Sequence, residues 1–173
     1  MDVRKTLRSH DTGKYKLVHH AAMPNIPPGQ VLSRTEAVAL DPAGAKMIDY
    51  SPVPGIGGFD FSGTVVQVGD AVTRFKEGDR VFGFVHGLNP DDVDSGAFSD
   101  FVVAMTDLCC KKPASMTTDQ ACTLALALGI VGYAMFQQLG LSIDVDEGER
   151  PEYVLVAAGN TASGRMAIQL LRL

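Results

Sequence analysis

The residues of this chain best suited to hold an anionic cofactor lie near its C-terminal end. Ala158-Gly159-Asn160-Thr161-Ala162-Ser163-Gly164 is a run of small residues. It sits between an apolar stretch, Tyr153-Val154-Leu155-Val156-Ala157, and a second apolar stretch from Met166 to Leu171. Strand, small-residue turn and helix open a dinucleotide-binding unit, because helix amides exposed at the turn can hold a pyrophosphate. In G-x-G-x-x-G terms Gly159 and Gly164 fill the outer positions and Thr161 the middle one. A threonine there holds the backbone further from a phosphate and offers a hydroxyl donor instead. The same turn also makes a plain strand-to-helix corner, and the turn alone does not separate the two readings. A phosphate loop of the G-x-x-x-x-G-K-[ST] type is excluded, since Arg165-Met166 follows Gly164. The residue that would read the adenosine ribose falls about 20 positions further on, beyond Leu173, so spacing does not decide between NAD and NADP.

Thiols and imidazoles supply less. Cys109 and Cys110 are neighbours on an expected strand, so their side chains face opposite ways and cannot ligate one ion together. Cys122 falls in an apolar helical stretch and reads as a small core residue. His10, His19, His20 and His86 are scattered and read as surface or loop residues rather than as acids or ligands. Three cysteines are too few and too close for a disulfide framework, and an odd count suits a reducing compartment.

These groups need elements to position them. Val31 to Leu40 alternates with period two, as a half-buried strand does. Asp41-Pro42 then reads as a helix cap with proline in the first turn, opening a short helix through Lys46 and Met47. Ser51 to Gly58 is a proline- and glycine-rich loop. Phe59 to Val68, Arg80 to Val85, Ala97 to Ala104 and Leu108 to Lys111 are further strands, and His86 to Ser95 is a loop. Short strands joined by glycine turns point to a partly open β-barrel. The pattern changes at Thr117-Thr118-Asp119-Gln120, a capping box. A helix to about Leu128 and a second from about Ile130 to Leu139 are expected, ending at Gly140. Ser142 to Pro151 is an acidic connector. The expected organisation is a barrel domain over residues 1–150 and, over 151–173, the first strand and helix of a nucleotide-binding domain. The fold class is mixed β and α/β.

With 173 residues, 46% of them apolar, and a net charge of -5, the chain can bury a core and is neither disordered nor a disulfide-stapled miniprotein. The acidic balance argues against a nucleic-acid partner. No apolar core follows Met1-Asp2-Val3-Arg4-Lys5, so this is not read as a secretory signal. The uncharged run from Gln120 to Ile143 is broken by Gly129, Gly132, Gln137, Gln138, Gly140 and Ser142. It reads as a buried helix pair rather than a membrane span. A cytoplasmic protein with no membrane partner is expected.

Three motifs in order carry a more specific signal: Phe59-Asp60-Phe61-Ser62-Gly63-Thr64-Val65-Val66-Gln67-Val68-Gly69, Gly78-Asp79-Arg80-Val81-Phe82-Gly83 and Gly96-Ala97-Phe98-Ser99-Asp100-Phe101. They resemble the GroES-like domain of medium-chain dehydrogenase/reductases, over about Val31 to Leu173. Glu36 to Pro42 with Lys46-Met47, and Tyr153 to Val156 with Asn160 to Gly164, are similar to a narrower group. That group is the trans-acting enoyl reductases that serve fungal polyketide synthases, as in the lovastatin pathway.

The resemblance implies NADPH-dependent reduction of an α,β-unsaturated thioester on the acyl carrier of a polyketide synthase. Ala43, Gly44, Ala45 and Lys46, with Thr161, Ala162, Ser163 and Gly164, would contact NADPH. Val131, Gly132, Tyr133, Ala134, Met135, Phe136, Gln137 and Gln138 would line the substrate tunnel. The family tends to have Ser-Asp where this chain has Ala43-Gly44, which removes two polar groups from the cofactor contact. Tyr50 is a proton-donor candidate, at a different offset from the tyrosine that some enoyl reductases use. Zinc relatives need a cysteine and a Gly-His-Glu triplet. Here the triplet is Gly58-Phe59-Asp60 and Ala45 sits near the cysteine position, so zinc-free chemistry is expected. The family chain is about twice this length and often monomeric. Two alternatives stay open: a non-catalytic remnant of such an enzyme, and a zinc-free quinone reductase.

Overall fold

The computed structural model describes residues 3–50, 54–142 and 153–172. It divides into two compact units, Met1–Ala125 and Leu126–Leu173.

The first unit opens with a hairpin, β1 (Val3–Asp11) and β2 (Lys14–Ala22), turned at Gly13 with φ +70°. A five-stranded antiparallel sheet follows, in the order β6-β3-β4-β5-β7. Its strands are β3 (Gln30–Val38), β4 (Asp60–Val68), β5 (Arg80–Phe84), β6 (Phe101–Met105) and β7 (Cys109–Lys111). The sheet curls into a half-barrel, and helix α1 (Pro42–Tyr50) fills the β3–β4 connection. The inward positions of β3, β4, β5 and β6 supply the core: Val31, Phe61, Val65, Val81, Val102 and Ala104, each at most 1% exposed. Period-two alternation puts these residues on one face, and burying that face holds the sheet together.

The hairpin is absent from the strand pattern read in the sequence. Register shifts between Arg4 and Thr6 and between Ser9 and Asp11 break its alternation, and β2 is exposed over most of its length. It is held to the barrel by backbone bonds from Leu7 N to Phe98 O at 2.8 Å and from Asp100 N to Lys5 O at 3.0 Å. Arg4 reinforces this. Its guanidinium is 1% exposed and donates to the carbonyls of Ala22, Phe101 and Asp94 and to Ser99 Oγ. The stretch Ala97–Asp100 therefore serves the hairpin, and the strand expected from Ala97 begins only at Phe101.

Helix α2 (Thr118–Ala121) begins at the capping box read in the sequence. Thr117 Oγ1 accepts from Gln120 N at 3.2 Å, and Gln120 Oε1 accepts from Thr117 N at 3.0 Å. Thr117→Ala is expected to lower stability by about 1 kcal/mol, measured by urea denaturation; an unchanged midpoint would show that water replaces the cap.

Glu36 ties this helix to the sheet. Thr64 Oγ1 donates to its Oε1 at 2.6 Å, and Arg80 Nη2 to its Oε2 at 2.8 Å. The Thr64 hydroxyl, then Arg80 and Thr118, hold the Glu36 carboxyl below its ordinary value of 4.5, against the opposing effect of burial. A depressed folded-state value means that the carboxylate stabilises the fold above about pH 4.5, and that this contribution is lost as pH falls through the folded value. Glu36→Gln is expected to flatten the dependence of stability on pH below about 4.5. Parallel acid limbs for parent and variant would rule the contribution out.

Helix α3 (Ala125–Gly132) continues into a π-helical turn, Tyr133–Gln138, and the stretch stops at Gly140, with φ +67°. The helical break lies at Cys122–Leu124 rather than at the expected Gly129. The stretch Thr118–Gln138 is long and apolar enough to cross a membrane by length and composition. The expected buried pair is only partly met. Val131 and Met135 are buried, while Ile130, Tyr133 and Leu139 are each more than half exposed.

Helix α4 (Ala162–Leu170) closes the chain. The strand expected at Tyr153–Ala157 is not formed. These residues pair with no strand among the described residues, and Tyr153 and Leu155 are 97% and 94% exposed. A parallel strand forms only beside neighbours, and among the described residues no strand lies beside this segment.

Candidate functional site

Two clusters hold the residues singled out in the sequence, one in each unit.

In the first unit, Ala43, Gly44, Ala45 and Lys46 occupy the opening turns of α1. Ala43, Ala45 and Lys46 are exposed, and Gly44 is half-buried. Asp41 precedes the helix, as the sequence suggests. Its Oδ2 is buried without a hydrogen-bond partner, and that burial pushes its carboxyl above the ordinary range. Ile48 anchors the helix from the opposite side.

Beside this turn lies Phe59. A Cβ placed on Gly44 would rest 3.5 Å from the Phe59 ring, an ordinary contact, so space does not demand glycine there. Phe59 stacks on His86, with ring centroids 6.4 Å apart and planes inclined by 24°. Asp60 is buried at the start of β4. Cys122 is buried, and burial raises its thiol above the ordinary range, with Asp119, Asp60 and Asp41 adding to the effect. It is an inert core thiol, as the sequence indicates. Cys109 is buried and pushed up to about 12, chiefly by desolvation, while Cys110 faces outward. Tyr50 ends α1 and is 84% exposed. Among the described residues no group of three or more His, Cys, Asp or Glu side chains is placed to hold a metal ion.

In the second unit the small-residue turn is built as a helix cap. Thr161 Oγ1 accepts from Gly164 N at 3.1 Å and donates to Ala158 O at 2.9 Å. Its hydroxyl proton is therefore spent inside the turn, and what faces outward is backbone. Ala162 and Ser163 are the first exposed residues of a nine-residue helix, where helix geometry leaves amides without intrahelical acceptors. The site suits an anion through those amides and the helix dipole. Gly164 packs so tightly on the turn that a Cβ would lie 2.3 Å from Ala158 O. This fits the third glycine of a dinucleotide turn, which allows helix and strand end to approach. Ala158, with φ +54°, carries the left-handed step.

Residues Val131 to Gln138 lie on α3 and the π-helical turn. Leu139 N bonds Ala134 O at 3.0 Å, five residues back. That winding gives these side chains spacings an α-helix would not, and no period in the sequence announces it.

Comparison with known proteins follows the same outline. Residues 27–162 match the model of the alcohol dehydrogenase GroES-like domain. A trans-enoyl reductase of Gibberella fujikuroi is 47% identical over 164 residues, covering 94% of this chain and 47% of that protein. Trans-enoyl reductase grgB of a Penicillium species is 44% identical, with coverage of 94% and 46%. Among solved structures, an alcohol dehydrogenase superfamily protein of Novosphingobium aromaticivorans superposes with a TM-score of 0.79 at 30% identity, over 97% of this chain and 50% of that one. A quinone oxidoreductase of Coxiella burnetii gives 0.74 at 26% identity, over 98% and 53%. The chain spans about half the length of the curated relatives it matches. With its curled sheet, α1 insertion and ordered motifs, the chain belongs to the alcohol dehydrogenase GroES-like domain family of medium-chain dehydrogenase/reductases.

Proposed function

We propose that this chain is part of a trans-acting enoyl reductase that uses NADPH to reduce an α,β-unsaturated acyl thioester presented by a polyketide synthase. The observation that carries this reading is the 47% identity to a trans-enoyl reductase, sustained over 164 residues. The bound nicotinamide would supply hydride to the β-carbon. The chain's own residues have other tasks. Ala162 and Ser163 present amides to the pyrophosphate, and Gly164 keeps the turn closed enough for them to converge. Lys46, an exposed cation on α1, serves a cofactor phosphate. Ala43 and Gly44 add only backbone and a methyl group, so this edge of the contact is poorer in polar groups than the family pattern. Val131 to Gln138 form the wall toward the acyl chain. Tyr50 is the candidate donor of the α-proton. Zinc is not required: the thioester delocalises the developing charge, and hydrogen-bond donors can stabilise the enolate oxygen. A cytoplasmic setting, and a barrel domain over 1–150 followed by the start of a nucleotide domain over 151–173, complete the reading.

A second reading, a non-catalytic remnant of such an enzyme, is kept beside it, because Tyr153–Leu155 are exposed and form no strand among the described residues. Calorimetry with NADPH on the 173-residue chain separates the two. Binding in the micromolar range, with NADPH oxidation when a soluble enoyl thioester is added, is the result expected of the reductase. Absence of both supports the remnant.

A further inference from the structure

The sequence places all four histidines on surfaces or loops, and the structure sets one of them apart. His10, His19 and His20 lie on the hairpin strands. His86 follows β5, at the head of the loop that runs to Ser95. Its side chain is exposed, yet its backbone is held on both sides. Val85 N donates to Phe59 O at 2.9 Å, and Leu88 N to Ile56 O at 2.7 Å. Gly87, between them, packs so closely on Gly58 that a Cβ would lie 2.1 Å from Gly58 O. The imidazole is therefore carried on a positioned stretch of chain rather than on a free loop.

Its neighbours give it a task. His86 stacks on Phe59, with centroids 6.4 Å apart, inside the range of aromatic pairs. Phe59 in turn reaches within 3.5 Å of a Cβ placed on Gly44, in the opening turn of α1. Phe59 thus bridges His86 and the turn that the reductase reading gives to the cofactor. His86 also borders a cavity of about 420 Å³, whose polar lining includes Gln30, Asn89, Asp92, Asp94 and Ser95. A polar cavity of this size holds water. Imidazole is the side chain best suited to exchange protons with such water near neutral pH. Tyr50, by contrast, stands at the other end of α1 from that turn, 84% exposed.

We propose that His86 is the proton donor of the reduction and is recharged through this cavity. The proposal rests on the reading of the chain as an enoyl reductase. Hydride addition at the β-carbon turns the C=C π pair into a thioester enolate, with the nicotinamide oxidised and the alkene reduced. The α-carbon then takes the N–H proton of the imidazolium: a C–H bond forms as the N–H bond breaks. The neutral imidazole regains a proton from water in the cavity. One hydride and one proton are consumed per double bond, and His86 ends as it began. A donor held in place delivers to one face of the α-carbon.

The test uses the 173-residue chain, NADPH and crotonyl pantetheine. His86→Phe keeps a ring against Phe59 but carries no proton, and His86→Ala leaves a space. Both are expected to lower kcat about 100-fold, with NADPH affinity by calorimetry and thermal melting close to the parent's. Free imidazole is expected to restore part of the rate of His86→Ala and none of that of His86→Phe. In heavy water the parent should place deuterium on one face of the α-carbon, and the variants on both. A readout without turnover is the nuclear magnetic resonance spectrum of the imidazole C–H groups. NADP with butyryl pantetheine, the saturated product, should shift the His86 resonance and leave the three hairpin histidines in place. Turnover by His86→Phe within about two-fold of the parent, absence of imidazole rescue, or an unmoved His86 resonance overturns the proposal and leaves the reductase reading standing. A parent that oxidises no NADPH with the thioester overturns the reductase reading, and the donor falls with it.

Discussion

Gly164→Val is expected to weaken the proposed NADPH binding by about ten-fold or more while leaving the Met1–Ala125 unit folded. The added Cβ would lie 2.3 Å from Ala158 O, 2.8 Å from the Gly159 Cα and 2.9 Å from the Ala158 carbonyl carbon. All three are backbone atoms, so no side chain can swing aside. The turn must open, and the bond from Gly164 N to Thr161 Oγ1 that caps α4 goes with it. The amides of Ala162 and Ser163 then no longer converge on one anion. An affinity loss of about ten-fold or more is expected by calorimetry. The far-ultraviolet spectrum should stay close to that of the parent, because the half-barrel contributes most of the regular structure. Binding within about two-fold of the parent would show that the nucleotide sits elsewhere.

Gly63→Ala is expected to be the most damaging single methyl in the half-barrel. Gly63 stands opposite Thr35, where β3 carries a register shift, and a Cβ there would be 2.1 Å from Arg34 O and 2.7 Å from Ser33 Oγ. Accommodating it means parting the two central strands. A destabilisation of about 4 kcal/mol is expected, a large share of what a domain of this size has. Urea denaturation measures it. A loss under about 1 kcal/mol would mean that the strands separate easily at the bulge.

How much of this was legible beforehand depended on whether a residue's environment came from its own sequence neighbours. Strands β3, β4 and β5 followed from alternation and from glycine turns, and α1 from Asp41-Pro42. The capping box at Thr117 and Gln120 was readable because both partners lie three residues apart. The hairpin was not, since its bulges scramble the period and its anchors, Phe98 and Asp100, are about 95 residues away. Tyr153–Ala157 misled for the opposite reason. An apolar run states only what a segment could bury, and among the described residues nothing pairs with it. Glycine at 129 looked like a break, yet a helix tolerates one at a cost of about 1 kcal/mol. The site was legible as residue types at the turn. That Thr161 caps the helix, and so leaves the anion contact to backbone amides, needed coordinates.

The pair Cys109-Cys110 gives the barrel a built-in clock. Cys110 is open to solvent, whereas Cys109 lies in the core with its thiol held at about 12. At neutral pH a thiol-specific reagent meets one sulfur at once and the other only when β7 lifts from β5. The interval between the first and second modification of the same molecule therefore measures how often this edge of the sheet opens. Because the two sulfurs are adjacent in sequence, each molecule carries its own reference.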